Sequence, residues 1–309
     1  MNHAGHWSAA QIPDQSGRIV VITGANCGIG YETAAALAGK GAHTVLVVRN
    51  MAQGATAIDR IRAQHPSADL ALQELDLASM SSIHAAAREL RSKYPAVDLL
   101  INNAGLVSFT RQTTRDGFEQ HFGICHLGHF AFTGLMMDRL LATPKSRVVT
   151  VSSLGHRMSG AAIAFDDLNW QSRPYKWMQA YGQAKLANLL FTYELQRRLA
   201  SVGGVATIAT AAHPGTSKTN LVRNGATWVN VQNKLLGFLH QSPEMGALPT
   251  LRAAADPAAL GGQFFGPNRF GQQRGHPCVV RSSAASYDRQ LQRRLWEVSQ
   301  DLTDVRYPV

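Results

Sequence analysis

The chain has 309 residues, enough to bury a full core, and its 45% hydrophobic and 16% charged content is that of a soluble globular protein. The formal charge of +10 is spread along the chain. Arg197-Arg198 and Arg293-Arg294 sit beside apolar positions in helical patterns and read as solvated faces, so no nucleic-acid partner is expected. Cys27, Cys125 and Cys278 make no disulfide framework, the start "MNHAGHWSAAQIPDQSG" has no apolar signal region, and no run has membrane-spanning length. A cytoplasmic protein with no integral membrane segment is the expectation.

Along the chain, short apolar runs alternate with helical patterns. "RIVVIT" (18–23) reads as a buried strand and "YETAAALAGKG" (31–41) as a helix. Further strands are predicted at 43–49, 70–77, 97–102, 147–153 and 205–214, with helices between most of them, including 81–94 and 177–200. No linker or repeat divides this series. It predicts an α/β, Rossmann-type doubly wound parallel sheet in a single domain. Ligands of such sheets bind beyond the carboxyl ends of the strands, so the residues just after each strand carry the information.

After the first strand, "TGANCGIG" places Thr23, Gly24, Asn26, Cys27, Gly28, Ile29 and Gly30 between strand and helix. Its glycines let the backbone turn sharply and approach a pyrophosphate, while the next helix points its N-terminus at the phosphates. The spacing is G-x-x-x-G-x-G, and a tight turn is the bland alternative. The second strand ends in "VVRN", where an acidic residue would bind the ribose of NAD. Arg49 stands there instead, followed by Asn50, which favours NADP(H) with NAD(H) as the alternative. Asp76 and Leu77 follow the third strand at the adenine edge. "NNAG" (Asn102, Asn103, Ala104, Gly105) follows the fourth, offering amides and a close-approach glycine.

"VSS" ends the fifth strand, and "YGQAK" puts Tyr181 and Lys185 at i and i+4 on one helix face. A phenol titrates near pH 10, and an adjacent ammonium stabilises its anion. With a strand-end serine, the three make a proton-transfer device suited to an alcohol/carbonyl pair.

In this order, "TGANCGIG", "NNAG", "VSS", "YGQAK" and "HPG" (213–215) resemble the short-chain dehydrogenases/reductases. The resemblance spans about 17–267 and is closest to the retinol-dehydrogenase-like and protochlorophyllide-reductase-like branch, through "VVRN", "HLGHF", "IAFDDLNW" and "HPGTSKTNL". It implies that Tyr181 is the general acid–base and that Lys185 assists it and binds the nicotinamide ribose. Ser153 would hydrogen-bond the substrate oxygen, with Ser152 turned to backbone or cofactor. Asn102, Asn103, Ala104 and Gly105 would line the cofactor, and Pro214, Gly215 and Thr219 would flank the carboxamide.

In "FGICHLGHF" (122–130) the family's tetrad asparagine falls on Cys125, and a thiol cannot replace an amide that both donates and accepts. His126 and His129 match ordinary family positions, and no metal site is expected. A lid over about 216–245, holding Leu221, Val222, Trp228, Val229, Leu235, Leu236, Phe238 and Leu239, would form a lipophilic pocket, with a C-terminal extension over about 268–309. The implied activity is hydride transfer between nicotinamide and a retinoid-, steroid- or terpenoid-like alcohol/carbonyl. The alternative is a catalytically weak dinucleotide-binding regulator. Family members pair through the helices carrying Cys125 and Tyr181, so the analogy implies a homodimer or homotetramer.

Overall fold

Strand β1 (Ile19–Thr23) has only apolar residues before its terminal threonine, and four of its five positions are buried. Alternation sends Val20 and Ile22 to one face and Val21 to the other, so the strand needs a cover on both sides. The computed structural model, which describes residues 6–158, 160–216 and 241–309, supplies it. Helices α1 (Gly28–Ala38) and α2 (Met51–Gln64) pack on the first face. Helices α3 (Met80–Lys93), α4 (Gly128–Leu141) and α5 (Trp177–Ser201) pack on the second.

The remaining strands are β2 (His43–Val48), β3 (Leu70–Glu74), β4 (Leu99–Asn102), β5 (Arg147–Val151), β6 (Ile208–Ala212), β7 (Phe264–Arg269) and β8 (Arg274–Val279). Their order is β3-β2-β1-β4-β5-β6-β7-β8. All neighbours are parallel except the β7–β8 hairpin. The fold is thus the doubly wound α/β domain that the sequence predicts. The order reverses between β1 and β4, which opens a crevice above their carboxyl ends.

The predicted strands agree with the observed ones to within a few residues at their ends. The hairpin at the sheet edge was not anticipated, because "FFGPNR" and "RGHPCV" carry proline and glycine inside the strands. Helix α6 (Pro243–Ala255) packs on the first face through Leu248 and Leu251. Helix α7 (Arg289–Thr303) brings Trp296 into the second core, 5.2 Å from the Phe130 ring and 4.5 Å from that of Tyr307. Residues 268–309 are therefore built into the sheet and core. The Leu221–Leu239 lid positions and Thr219 lie outside the described residues. Among the described residues no helix is long and apolar enough to cross a membrane.

Candidate active site

A cleft of about 1100 Å³ opens above the β1–β4 crevice. Thr23, Gly24, Asn26, Cys27, Arg49, Asn50, Asp76, Leu77, Ala104 and Gly105 line it. Gly24 and Gly28 hold φ of +68° and +55°, a region that L side chains rarely adopt. They turn the chain from β1 into α1, whose N-cap Cys27 contributes no side-chain hydrogen bond. The first amides of α1 are thus left for an anion, and the helix dipole favours one there.

Gly28, Ile29 and Gly30 carry those first amides, although they are not among the residues lining the cleft. A Cβ on Gly30 would overlap the Gly24 carbonyl oxygen and come within 2.5 Å of Asn103 Nδ2. Both neighbours are fixed, since Asn103 Nδ2 donates to Thr23 O at 2.8 Å. Gly30→Ala is therefore expected to displace the loop and weaken dinucleotide affinity at least ~10-fold. Fluorescence titration with NADPH checks this; wild-type affinity would mean that the loop absorbs the methyl group.

Two members of "NNAG" differ from their expected places. Asn102 is buried and donates through Nδ2 to Thr133 Oγ1 at 2.8 Å, because strand alternation turns it beneath the cleft onto α4. Asn103 ties β4 to the glycine loop instead of facing the cleft. Pro214 and Gly215 lie just past β6 and are not among the lining residues. The Pro214 carbonyl accepts from Gln241 Nε2 at 2.6 Å, and Gly215 has φ +67°.

Among the described residues that line the cleft, Arg49, Arg60 and Asp76 are charged. Asp76 has its own partner, Arg115, at 3.7 Å. The Arg60 guanidinium lies 4.2 Å from the centroid of the Tyr31 ring. The wall near the end of β2 is therefore net positive, as an anionic ligand requires. Arg60, one helical segment away from Arg49, was not singled out from the sequence, because only the fold of α2 against β2 brings the two together.

Tyr181, Ser153 and Lys185 converge beside this cleft. Gly155 is the junction: a Cβ there would meet Tyr181 Cε1 at 2.8 Å and Ser153 Oγ at 3.6 Å. Ser153 caps the 3-10 turn Leu154–Arg157, its Oγ accepting from the Gly155 amide at 3.1 Å. Ser152 Oγ points away and donates to the Lys185 carbonyl at 2.8 Å. Lys185 is 4% exposed; its Nζ donates to Val151 O at 3.1 Å and lies 5.8 Å from the Tyr181 ring centroid. A Cβ on the cleft residue Gly105 would stand 3.5 Å from Lys185 Nζ and 3.6 Å from Cys125 Sγ. The lysine and the cysteine thus border one wall of the cleft.

Cys125 is fully buried in a π-helical turn, Gly123–Leu127, between the short helix Gln120–Phe122 and α4. The Gly128 amide bonds to the Gly123 carbonyl across this turn. Such turns recur at functional sites, where they re-aim the chain. His129 holds it. Thr23 Oγ1 accepts from the Asn103 and Ala104 amides, both at 3.0 Å, and lies 3.4 Å from Ile101 O and 2.9 Å from His129 Nε2; the nearer nitrogen takes its proton, because the Cys125 carbonyl can only accept and so fixes the His129 proton on Nδ1. Nδ1–H of His129 then donates to the Cys125 carbonyl at 3.1 Å. His126 reaches Ser299 Oγ on α7 at 2.8 Å. Burial pushes the pKa of His126 down to about 3 and that of His129 to about 4. The histidines of "FGICHLGHF" therefore anchor the turn as neutral rings.

Sequence reasoning also missed Leu106, Val107, Ser108, Phe109 and Ile124, which line the cleft next to "NNAG". Their signal was position after a strand. Phe109 stands edge-to-face with Trp177 at 4.9 Å, and Trp177 lies one turn before Tyr181 on α5.

Comparison with known proteins follows the same lines. The family model described as short chain dehydrogenase matches residues 18–165. Human retinol dehydrogenase 13 is 39% identical over 308 residues, covering 97% of this chain and 88% of its own. Human polyprenol dehydrogenase is 35% identical over 300 residues, covering 95% and 87%. The crystal structure of an uncharacterized protein from Mycobacterium paratuberculosis superposes with a TM-score of 0.81 at 38% identity, covering 99% of this chain and 100% of that one.

Proposed function

The chain belongs to the short-chain dehydrogenase family and is a nicotinamide-dinucleotide-dependent oxidoreductase acting on alcohol and carbonyl groups; from that premise we propose that it prefers NADP(H) and interconverts a lipophilic, retinoid- or polyprenol-like alcohol and its carbonyl. The observation that carries the reading is the meeting of Tyr181 and Ser153 across Gly155, with Lys185 at the wall of the cleft.

The cradle fits a dinucleotide. The uncapped start of α1 and the glycine turn would hold the pyrophosphate, and Arg49 with Arg60 would pair with a 2′-phosphate. When bound, the nicotinamide supplies or accepts the hydride. Ser153 Oγ accepts the Gly155 amide, so its own O–H is left to donate to the substrate oxygen. In reduction Tyr181 Oη gives that oxygen a proton; in oxidation it removes one. The Lys185 cation stabilises the charge that develops on the phenol oxygen. Leu106, Val107, Phe109 and Ile124 make the neighbouring wall apolar, which supports a lipophilic substrate and the exclusion of water.

Arg49→Ala tests the cofactor preference. Loss of a charge-assisted contact should weaken NADPH binding by about 1.5–3 kcal/mol, roughly 10- to 150-fold, and leave NADH little changed. Equal affinity of wild type and variant for NADPH would remove the assignment. A cofactor-oxidation assay against long-chain and polyene aldehydes, compared with short ones, tests the substrate class. No preference for the lipophilic set would count against it.

A further inference from the structure

Next to the proton-transfer residues lies a buried polar cluster that the mechanism above does not use. Glu119 and His121 are both 0% exposed, at the entry to the short helix that leads into the π turn. The Glu119 carboxylate accepts the amides of His121 and Phe122 at 3.0 and 2.9 Å, and the Tyr175 hydroxyl at 2.9 Å. His121 Nδ1 lies 3.0 Å from Glu119 Oε1 and 3.0 Å from the Tyr175 oxygen. Burial pushes the Glu119 carboxyl up, yet the His121 contact and the two amides outweigh it and hold the group below the usual carboxylate value.

The other ring nitrogen settles the tautomer. His121 Nε2 accepts the Ser108 amide at 2.9 Å, so it carries a lone pair and the proton sits on Nδ1, facing Glu119. Ser108 belongs to the loop that lines the cleft. The imidazole also stands edge-to-face against the Tyr181 ring, with centroids 5.8 Å apart and planes at 74°. One side chain thus touches the carboxylate, the cleft loop and the phenol ring. We propose that His121, its tautomer fixed by Glu119, is a positioning residue that locks the Ser108 loop and the Tyr181 phenol into one rigid unit.

The physical reason is geometric. A proton donor held loosely by even an ångström loses much of its advantage, and a phenol ring packed only on Gly155 could tilt. The imidazole packs edge-to-face with that ring while being held at both nitrogens. Glutamine at this position can do both hydrogen-bonding tasks, since its amide N–H can face Glu119 and its carbonyl can accept Ser108. Leucine can do neither. The proposal rests on the reading of Tyr181 as the acid–base group.

The experiment compares His121→Leu, His121→Gln and Tyr181→Phe on one lipophilic aldehyde, with NADPH affinity measured beside turnover. His121→Leu is expected to lose roughly 10- to 100-fold in kcat with NADPH affinity within about twofold, and His121→Gln to recover most of the loss. Should His121→Leu not fold, Glu119→Gln/His121→Leu replaces it, because it leaves no unpaired buried charge. Wild-type kcat in the folded leucine or double variant, with Tyr181→Phe inactive, overturns the proposal and spares the acid–base reading. An active Tyr181→Phe overturns that reading instead. Nitrogen-15 spectra of cofactor-free wild type provide a second readout: an Nδ1-protonated, Nε2-bare imidazole is expected for His121. The opposite tautomer overturns the proposal whatever the kinetics.

Discussion

Tyr181→Phe should bind cofactor like the wild type and lose ~10²–10⁴-fold in turnover, the contribution that a positioned acid–base group usually makes. The substitution removes one oxygen and keeps the ring. That ring packs on Gly155 and against His121, so the site around it is expected to hold its shape. Lys185 keeps its bond to Val151 O and its place beside Gly105, so the dinucleotide cradle is untouched. The expected signature is therefore a fall in kcat with no change in NADPH affinity. The measurement is steady-state turnover together with a direct titration of NADPH. Turnover near wild type, on a substrate whose chemical step limits the rate, would end the mechanism proposed for Tyr181.

The protein should also be acid-labile to an extent that its carboxylates alone would not produce. Burial holds the pKa of His126 and His213 down at about 3, and that of His129 and His156 at about 4. In the unfolded chain each would titrate near the ordinary value of 6.5. Between these values the unfolded chain binds more protons than the folded one, so stability rises with pH across the window. Stability is complete above about pH 6.5 and is lost as pH falls toward the folded values. Each histidine contributes about 1.4 kcal/mol per pH unit there. Four together approach ~5 kcal/mol per unit, comparable with the whole stability of an ordinary domain. Acid unfolding is expected to set in at roughly pH 5, and the urea midpoint to drop steeply between about pH 6.5 and pH 5. A midpoint that stays constant over that range would contradict the buried, neutral state of these rings.

Much of the site could be read from the chain because its signals are local. Short continuous apolar runs forced strands buried on both faces, and the residues following each run had to face the crevice. Thr23, Gly24, Asn26, Cys27, Arg49, Asp76 and Gly105 line the cleft for that reason. Tyr181 and Lys185 share a helix face through a four-residue spacing alone. Asn102 shows where this kind of reading stops. It is the last residue of the strand that Gly105 follows, and alternation buries it on Thr133.

What only the tertiary structure decided depends on partners far apart in sequence. Glu119 and His121 look like ordinary helix-start residues until Tyr175 arrives from the segment before α5 and the Ser108 amide from the loop after β4. Arg60 becomes a cleft residue only when α2 folds back along β2. Cys125 reads as a missing amide in the sequence. In the fold, its carbonyl is held by His129, and Thr23, over a hundred positions earlier, completes that bond. Side-chain periodicity is a property of one element and is written in the sequence. The satisfaction of a buried carboxylate or imidazole is a property of several elements, and it exists only once packing has removed water and brought the donors and acceptors together.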